Sequence, residues 1–107
     1  MIISTKARDG KLYEAHAEYC NGVVIIKKGS KINRRNALKF VPPPRIAELR
    51  ENDLLFYDSC YLKNDLSLPS LSFAATFVTG RIANGNIVWK TKDGKSLKYL
   101  FAKKGKK

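Results

Sequence analysis

Acidic residues are scarce in this chain: nine Asp and Glu stand against 21 Lys and Arg. The deficit leaves a formal charge of +12 and a pI near 9.9, beyond the magnitude of about 2–8 usual for a small domain. A surface that basic attracts polyanions, which makes nucleic acid the leading partner class. Histidine occurs once, at His16, and cysteine twice, at Cys20 and Cys60, with no CxxC pair. That set gives no metal-ligand spacing, and the two cysteines are expected to be reduced residues packed in a cytosolic core. No stretch approaches the roughly 20 apolar residues that span a bilayer. The opening MIISTKARDG lacks the apolar run of a signal peptide. No basic amphipathic helix stands out for an anionic membrane surface. The expectation is a cytoplasmic protein without membrane contact. Also missing are GxGxxG, a phosphate-binding P-loop, HExxH and GxSxG. A Cys–His nucleophile would need His16 beside Cys20 or Cys60 with a third orienting group, and no pattern asks for it. The chain is therefore expected to be no enzyme and to need no cofactor or metal.

A length of 107 residues is enough for one core without staples. Residues 1–102 are expected to form a single domain and 103–107 a basic flexible tail. MIIST reads as a short strand. In KLYEAHAEYC, Leu12, Glu14, His16 and Glu18 point one way and Tyr13, Ala15, Ala17 and Tyr19 the other. Asn21-Gly22 supplies a type I′ hairpin turn, and VVIIKK follows as a β-branched strand ended by Gly29-Ser30. KINRRNALKFVPPP has no period and reads as a basic loop stiffened by Pro42 to Pro44. PRIAELRENDL predicts a helix from Pro44, with Ile46 and Leu49 inward and Arg45, Glu48, Glu51 and Asp53 solvated. LLFY predicts a short strand, and Asn64-Asp65 a turn. Leu71, Ala74, Ala75 and Val78 then fall on one face of a helix over Ser70–Thr79, widened by Phe73 and Phe77 and closed by Gly80. Asn84-Gly85 and Asp93-Gly94 are turn signals around NIVWKT, which reads as a strand. Leu97 and Leu100 pin a last short element. The pattern is α+β: a small, mostly antiparallel sheet with two short helices.

Candidate contact residues lie in two basic runs. Lys27, Lys28, Lys31, Arg34, Arg35 and Lys39 fall in a stretch with no acid between Glu18 and Glu48. Lys90, Lys92, Lys95 and Lys98 form the second run, continued by Lys103, Lys104, Lys106 and Lys107. Such groups meet phosphates and position a nucleic acid without specifying its sequence. Arg81 and Asn84 flank the turn after the apolar helix. Their side chains suit base edges or phosphates, but Asn84 equally suits a turn and Arg81 a helix end. Trp89 reads as a core aromatic, with base stacking as its functional alternative.

The stretch Pro69-Ser70, Ala74-Ala75, Gly80, Arg81-Ile82-Ala83-Asn84-Gly85, Trp89, Asp93-Gly94, Leu97, Leu100 resembles an uncharacterised bacterial domain of unknown function. VVIIKKGS and PRIAELRENDLL sit where that family has a strand ending in Lys-Gly-Ser and an Arg/Glu-rich helix. The resemblance runs from about Ala15 to Leu100. That family is found C-terminal to GIY-YIG-type nuclease domains and beside restriction-modification proteins. It is similar to the restriction-adenine-methylase-associated domain, proposed to bind DNA. Two positions depart from its pattern: Leu68 stands where the family has an N-capping Ser, and Ile82 where it has a small polar residue. The resemblance implies a non-catalytic DNA-binding accessory module of nuclease or restriction-modification systems. The alternative is an assembly module docking a nuclease or methylase. The residues expected at the DNA are Lys27, Lys31, Arg34, Arg35, Lys39, Arg81, Asn84, Trp89, Lys90 and Lys92.

Overall fold

Asn21 and Gly22 both have positive φ, 50° and 84°, the pair of conformations a type I′ turn needs. They join β2 (Glu14–Cys20) to β3 (Val23–Ile26), with Cys20 opposite Val23. In the computed structural model, which describes residues 1–8, 11–35, 37 and 40–99, this hairpin is the centre of a four-stranded antiparallel sheet. β1 (Ile2–Lys6) flanks β2, and β6 (Leu66–Leu68) flanks β3. Period-two alternation divides its faces. Ile3, Ala17 and Ile26 share one cross-strand row and are fully buried, whereas Ile2, Glu18, Ile25 and Ser67 share the next row on the opposite face. β4 (Phe56–Tyr57) and β5 (Tyr61–Leu62) form a separate hairpin, tied to β2 through Lys31, whose backbone bridges both Glu14 and Tyr61. LLFY is thus only half strand, since Asp53–Leu55 make a 3-10 turn that precedes β4.

The buried face of the sheet is covered by α2 (Leu71–Thr79), which packs on β3 and β6. Ser70 is its N-cap, its hydroxyl accepting from Phe73 N at 3.1 Å. Capping therefore comes from Ser70 although Leu68 replaces the polar residue upstream. Ala74 and Ala75 are fully buried, and their small side chains let the helix lie close to the strands. Phe77 stacks on Phe56 at 6.2 Å between ring centroids. α1 (Pro44–Glu51) packs against α2, burying Ile46 and also Arg50, which a pattern of solvated charges does not anticipate.

NIVWKT is not a strand. Gly85–Val88 form a single helical turn, α3, capped by Asn84, and the chain becomes extended only at Trp89. Lys90 then bridges Ser4 of β1 and Ser96. The reason is tertiary. A Cβ at Gly85 would lie 2.3 Å from the Leu71 carbonyl carbon, so this glycine lets the turn press against the start of α2. Trp89 is buried to 0 % exposure there, donating its indole N–H to Leu71 O at 3.1 Å. Leu97 is also buried, and its N–H donates to Trp89 O at 3.3 Å. Leu100 and the tail 103–107 lie outside the described residues.

Candidate nucleic-acid interface

The basic loop is not free of the fold. Asn33 N–H donates to Val78 O at 2.9 Å, and its side-chain amide donates to Thr79 O at 3.0 Å. Asn33 Oδ1 accepts from Arg35 N at 3.2 Å, and Ala37 N–H donates to Gly80 O at 2.8 Å. These bonds lay the loop across the C-terminal end of α2. Gly80 permits the approach: φ is 78°, and a Cβ there would meet Arg35 O at 2.3 Å. On the other side, Ala7 N–H donates to Tyr13 O at 3.0 Å and closes the connection between β1 and β2.

Between these two segments lies a groove of about 700 Å³, lined by Ala7, Arg8, Leu12, Tyr13, Asn33, Arg35, Ala37, Thr79 and Arg81. Arg8, Arg35 and Arg81 come from three separate parts of the chain and are exposed. Among the described residues, no carboxylate lines the groove, and none of these three guanidinium groups has an ion pair. Its floor is largely apolar. Arg50 lies against the same end of α2 but lines a separate recess with Arg34 and Phe40. Its Nη1 donates to Phe77 O at 2.6 Å, placing a cation on the carbonyl end of α2, where the helix dipole is negative. Desolvation by burial, followed by Arg34, lowers its pKa from the ordinary arginine value, and Glu51 acts in the opposite direction. A guanidinium nonetheless keeps its proton in proteins.

Of the residues expected at the DNA, the groove gathers Arg35 and Arg81. The others have different settings. Arg34 turns inward, 22 % exposed: Nε donates to Arg50 O at 3.0 Å, Nη1 to Ser59 O at 2.9 Å and Nη2 to Asp53 Oδ1 at 2.7 Å, with the guanidinium 4.3 Å from the Phe56 ring centroid. It latches the β4–β5 turn to α1. Lys27 lies between Glu18, at 3.5 Å, and Asp65, at 3.6 Å. Lys31 serves through its backbone bridges. Asn84 spends its side chain on Asn86 N at 2.9 Å, and Lys90 Nζ donates to Ile87 O at 2.8 Å. Lys92 is exposed on the turn near Gly94. Trp89 is buried and offers no ring face for stacking. Lys39 lies outside the described residues. Arg8, Leu12 and Tyr13 were not anticipated. Arg8 lies outside both basic runs, and nothing local links it to a helix end more than 70 positions away.

The cysteines correct a second expectation. Cys20 is exposed and Cys60 half-buried, and both are free thiols, so neither belongs to the core. His16 is exposed on the outer face of β2, 3.7 Å from Glu14. Cys20 lies four positions further along the strand, about 13 Å away, too far for proton transfer. Among the described residues no group of three His, Cys, Asp or Glu could hold a metal ion, and no helix is long and apolar enough to cross a membrane.

Comparison with curated proteins and with solved structures gives no match. A family model matches residues 6–100, a span that takes in β2 to β6, α1, α2 and all nine groove residues but only the last residue of β1. On that match, the chain belongs to the family described as a domain of unknown function, DUF4357.

Proposed function

We propose that the protein is a non-catalytic, cytoplasmic DNA-binding accessory module, linked to nuclease or restriction-modification systems. The family description leaves function open, so the link to such systems rests on the resemblance set out above. One observation carries the binding reading: three arginines converge on a concave surface that holds no carboxylate among the described residues. The net charge of +12 supports it, because a field of that size steers polyanions toward the surface. Arg35 and Arg81 would hold phosphates, and Lys92 and the basic tail would add non-specific attraction.

A docking role is the second reading. It draws on the exposed apolar side chains of Val41, Leu54 and Ile82, each at least 80 % accessible. Fluorescence anisotropy of labelled DNA at several salt concentrations, with and without residues 103–107, separates the two. DNA binding predicts that log K falls linearly with log salt, by about 0.9 per neutralised phosphate on duplex, and survives loss of the tail. Absence of binding at about 100 mM salt would sink this reading, because even non-specific binders hold DNA at roughly 10⁻⁴–10⁻⁶ M. Binding that vanishes with the tail would also exclude the folded surface as the binder. A nuclease or methylase partner would then be the object of search.

A further inference from the structure

We infer that the groove between Arg8, Arg35 and Arg81 takes an unpaired nucleotide, so that the domain prefers single-stranded DNA to continuous duplex. The inference rests on the DNA-binding reading and specifies its ligand. Two features of the groove carry it. Its volume, about 700 Å³, falls in the range of about 300–1,000 Å³ typical of pockets that enclose a small molecule. It is a recess for one nucleotide and not a track for a helix of stacked pairs. Its lining also separates chemically. Ala7, Leu12 and Tyr13 give an apolar and aromatic wall, while the three guanidinium groups carry the charge.

A surface that only followed duplex phosphates would need the charge without the apolar recess. An unpaired base needs both: an apolar or aromatic surface for its ring and cations for the flanking phosphates. Leu12 is 54 % exposed although it is a large aliphatic side chain at the entry to β2. A base seated beside it would remove that apolar area from water. Guanidinium planes can also stack on a base, which a lysine rim could not do.

The test uses the full chain and three labelled oligonucleotides: a mixed-sequence single strand, the same strand with its central nucleotides abasic, and the matching duplex. Anisotropy is read at one salt concentration for the wild type, Arg35→Gln and Arg81→Gln, with circular dichroism confirming that both variants fold. The intact strand is expected to bind about tenfold more tightly than either the abasic strand or the duplex. Each arginine substitution is expected to weaken strand binding. Equal affinity for intact and abasic strands would overturn the inference, since phosphates alone would then account for binding. So would a duplex bound as tightly as the intact strand. Either result leaves the DNA-binding reading in place, whereas binding to none of the three oligonucleotides removes that reading as well.

Discussion

Gly80 carries two constraints at once, a left-handed φ of 78° and backbone contact with the basic loop. Ala there should cost about 1–2 kcal/mol for the conformation alone. The overlap of its Cβ with Arg35 O adds to this, because a backbone atom cannot swing aside. Urea denaturation of Gly80→Ala should show the loss, and a neutral result would mean that the loop does not lie on the helix end. Arg50 is the second such residue. Arg50→Met keeps much of the packing but removes the charge-assisted bond to Phe77 O. It should destabilise by about 1.5–3 kcal/mol, the usual worth of hydrogen bonds to charged groups. A third residue-scale effect is pH-dependent. Asp65 accepts from Lys28 N at 2.9 Å, and this bond, helped by Lys27, lowers its carboxyl pKa below the ordinary 3.8. The unfolded chain therefore binds this proton first as pH falls. The stabilisation is present above about pH 4 and is lost as pH drops through the lower folded pKa. Asp65→Asn should flatten the acid limb of a stability–pH curve, and an unchanged limb would assign acid sensitivity to other carboxylates. Gly80 as the helix stop is legible in the sequence, but its contact with the basic loop and the roles of Arg50 and Asp65 are not visible locally. The sequence pattern gives Arg50 no inward position, and its burial follows only from the packing of α1 on α2. Cys20 is the opposite case. It was expected in the core on the general tendency of cysteine to be buried, yet it continues the series Leu12, Glu14, His16, Glu18 and lies outside with them.

Elements whose ends carry chemical signals were legible; those set by contacts were not. The β2–β3 hairpin follows from Asn21-Gly22 and the alternation on either side of it. α2 follows from its apolar face and from Gly80, and the structure adds Ser70 as its cap. Ser70→Ala should cost about 1 kcal/mol by freeing Phe73 N. A thermal-melting shift is the readout, and no shift would mean that water satisfies that N–H equally well. The strand expected in NIVWKT failed because Ile, Val and Trp favour strands while Asn84-Gly85 serves both a turn and a helix start. The deciding contact, Gly85 against Leu71, joins segments 14 positions apart. β6 was missed for a related reason. LSL is too short to show a period, and its pairing with Val24, Ile25 and Ile26 defines it. Arg34 lies in a loop that reads as free, yet its bonds to α1 and the β4–β5 turn make it part of the scaffold.

At the scale of the whole molecule, charge is the property most directly readable, and its distribution is the least. If the groove is the binding surface, Arg81→Glu should weaken DNA binding more than Lys92→Glu, although each changes net charge by the same amount. Equal losses would mean that the overall field acts without a focal site. The sequence by itself determined the polyanion-attracting charge, the α+β class, the central hairpin and the buried helix, because composition, period-two and 3.6-residue patterns and turn residues act over a few neighbours. Tertiary structure decided which cations meet. Arg8, Arg35 and Arg81 come together only because the basic loop is hydrogen-bonded across the end of α2 while the β1–β2 connection closes the other wall. It also decided which basic residues serve the fold, turning Arg34 onto Phe56 and pairing Lys27 with Glu18 and Asp65. Those outcomes depend on distances between residues remote in sequence, which local pattern does not encode.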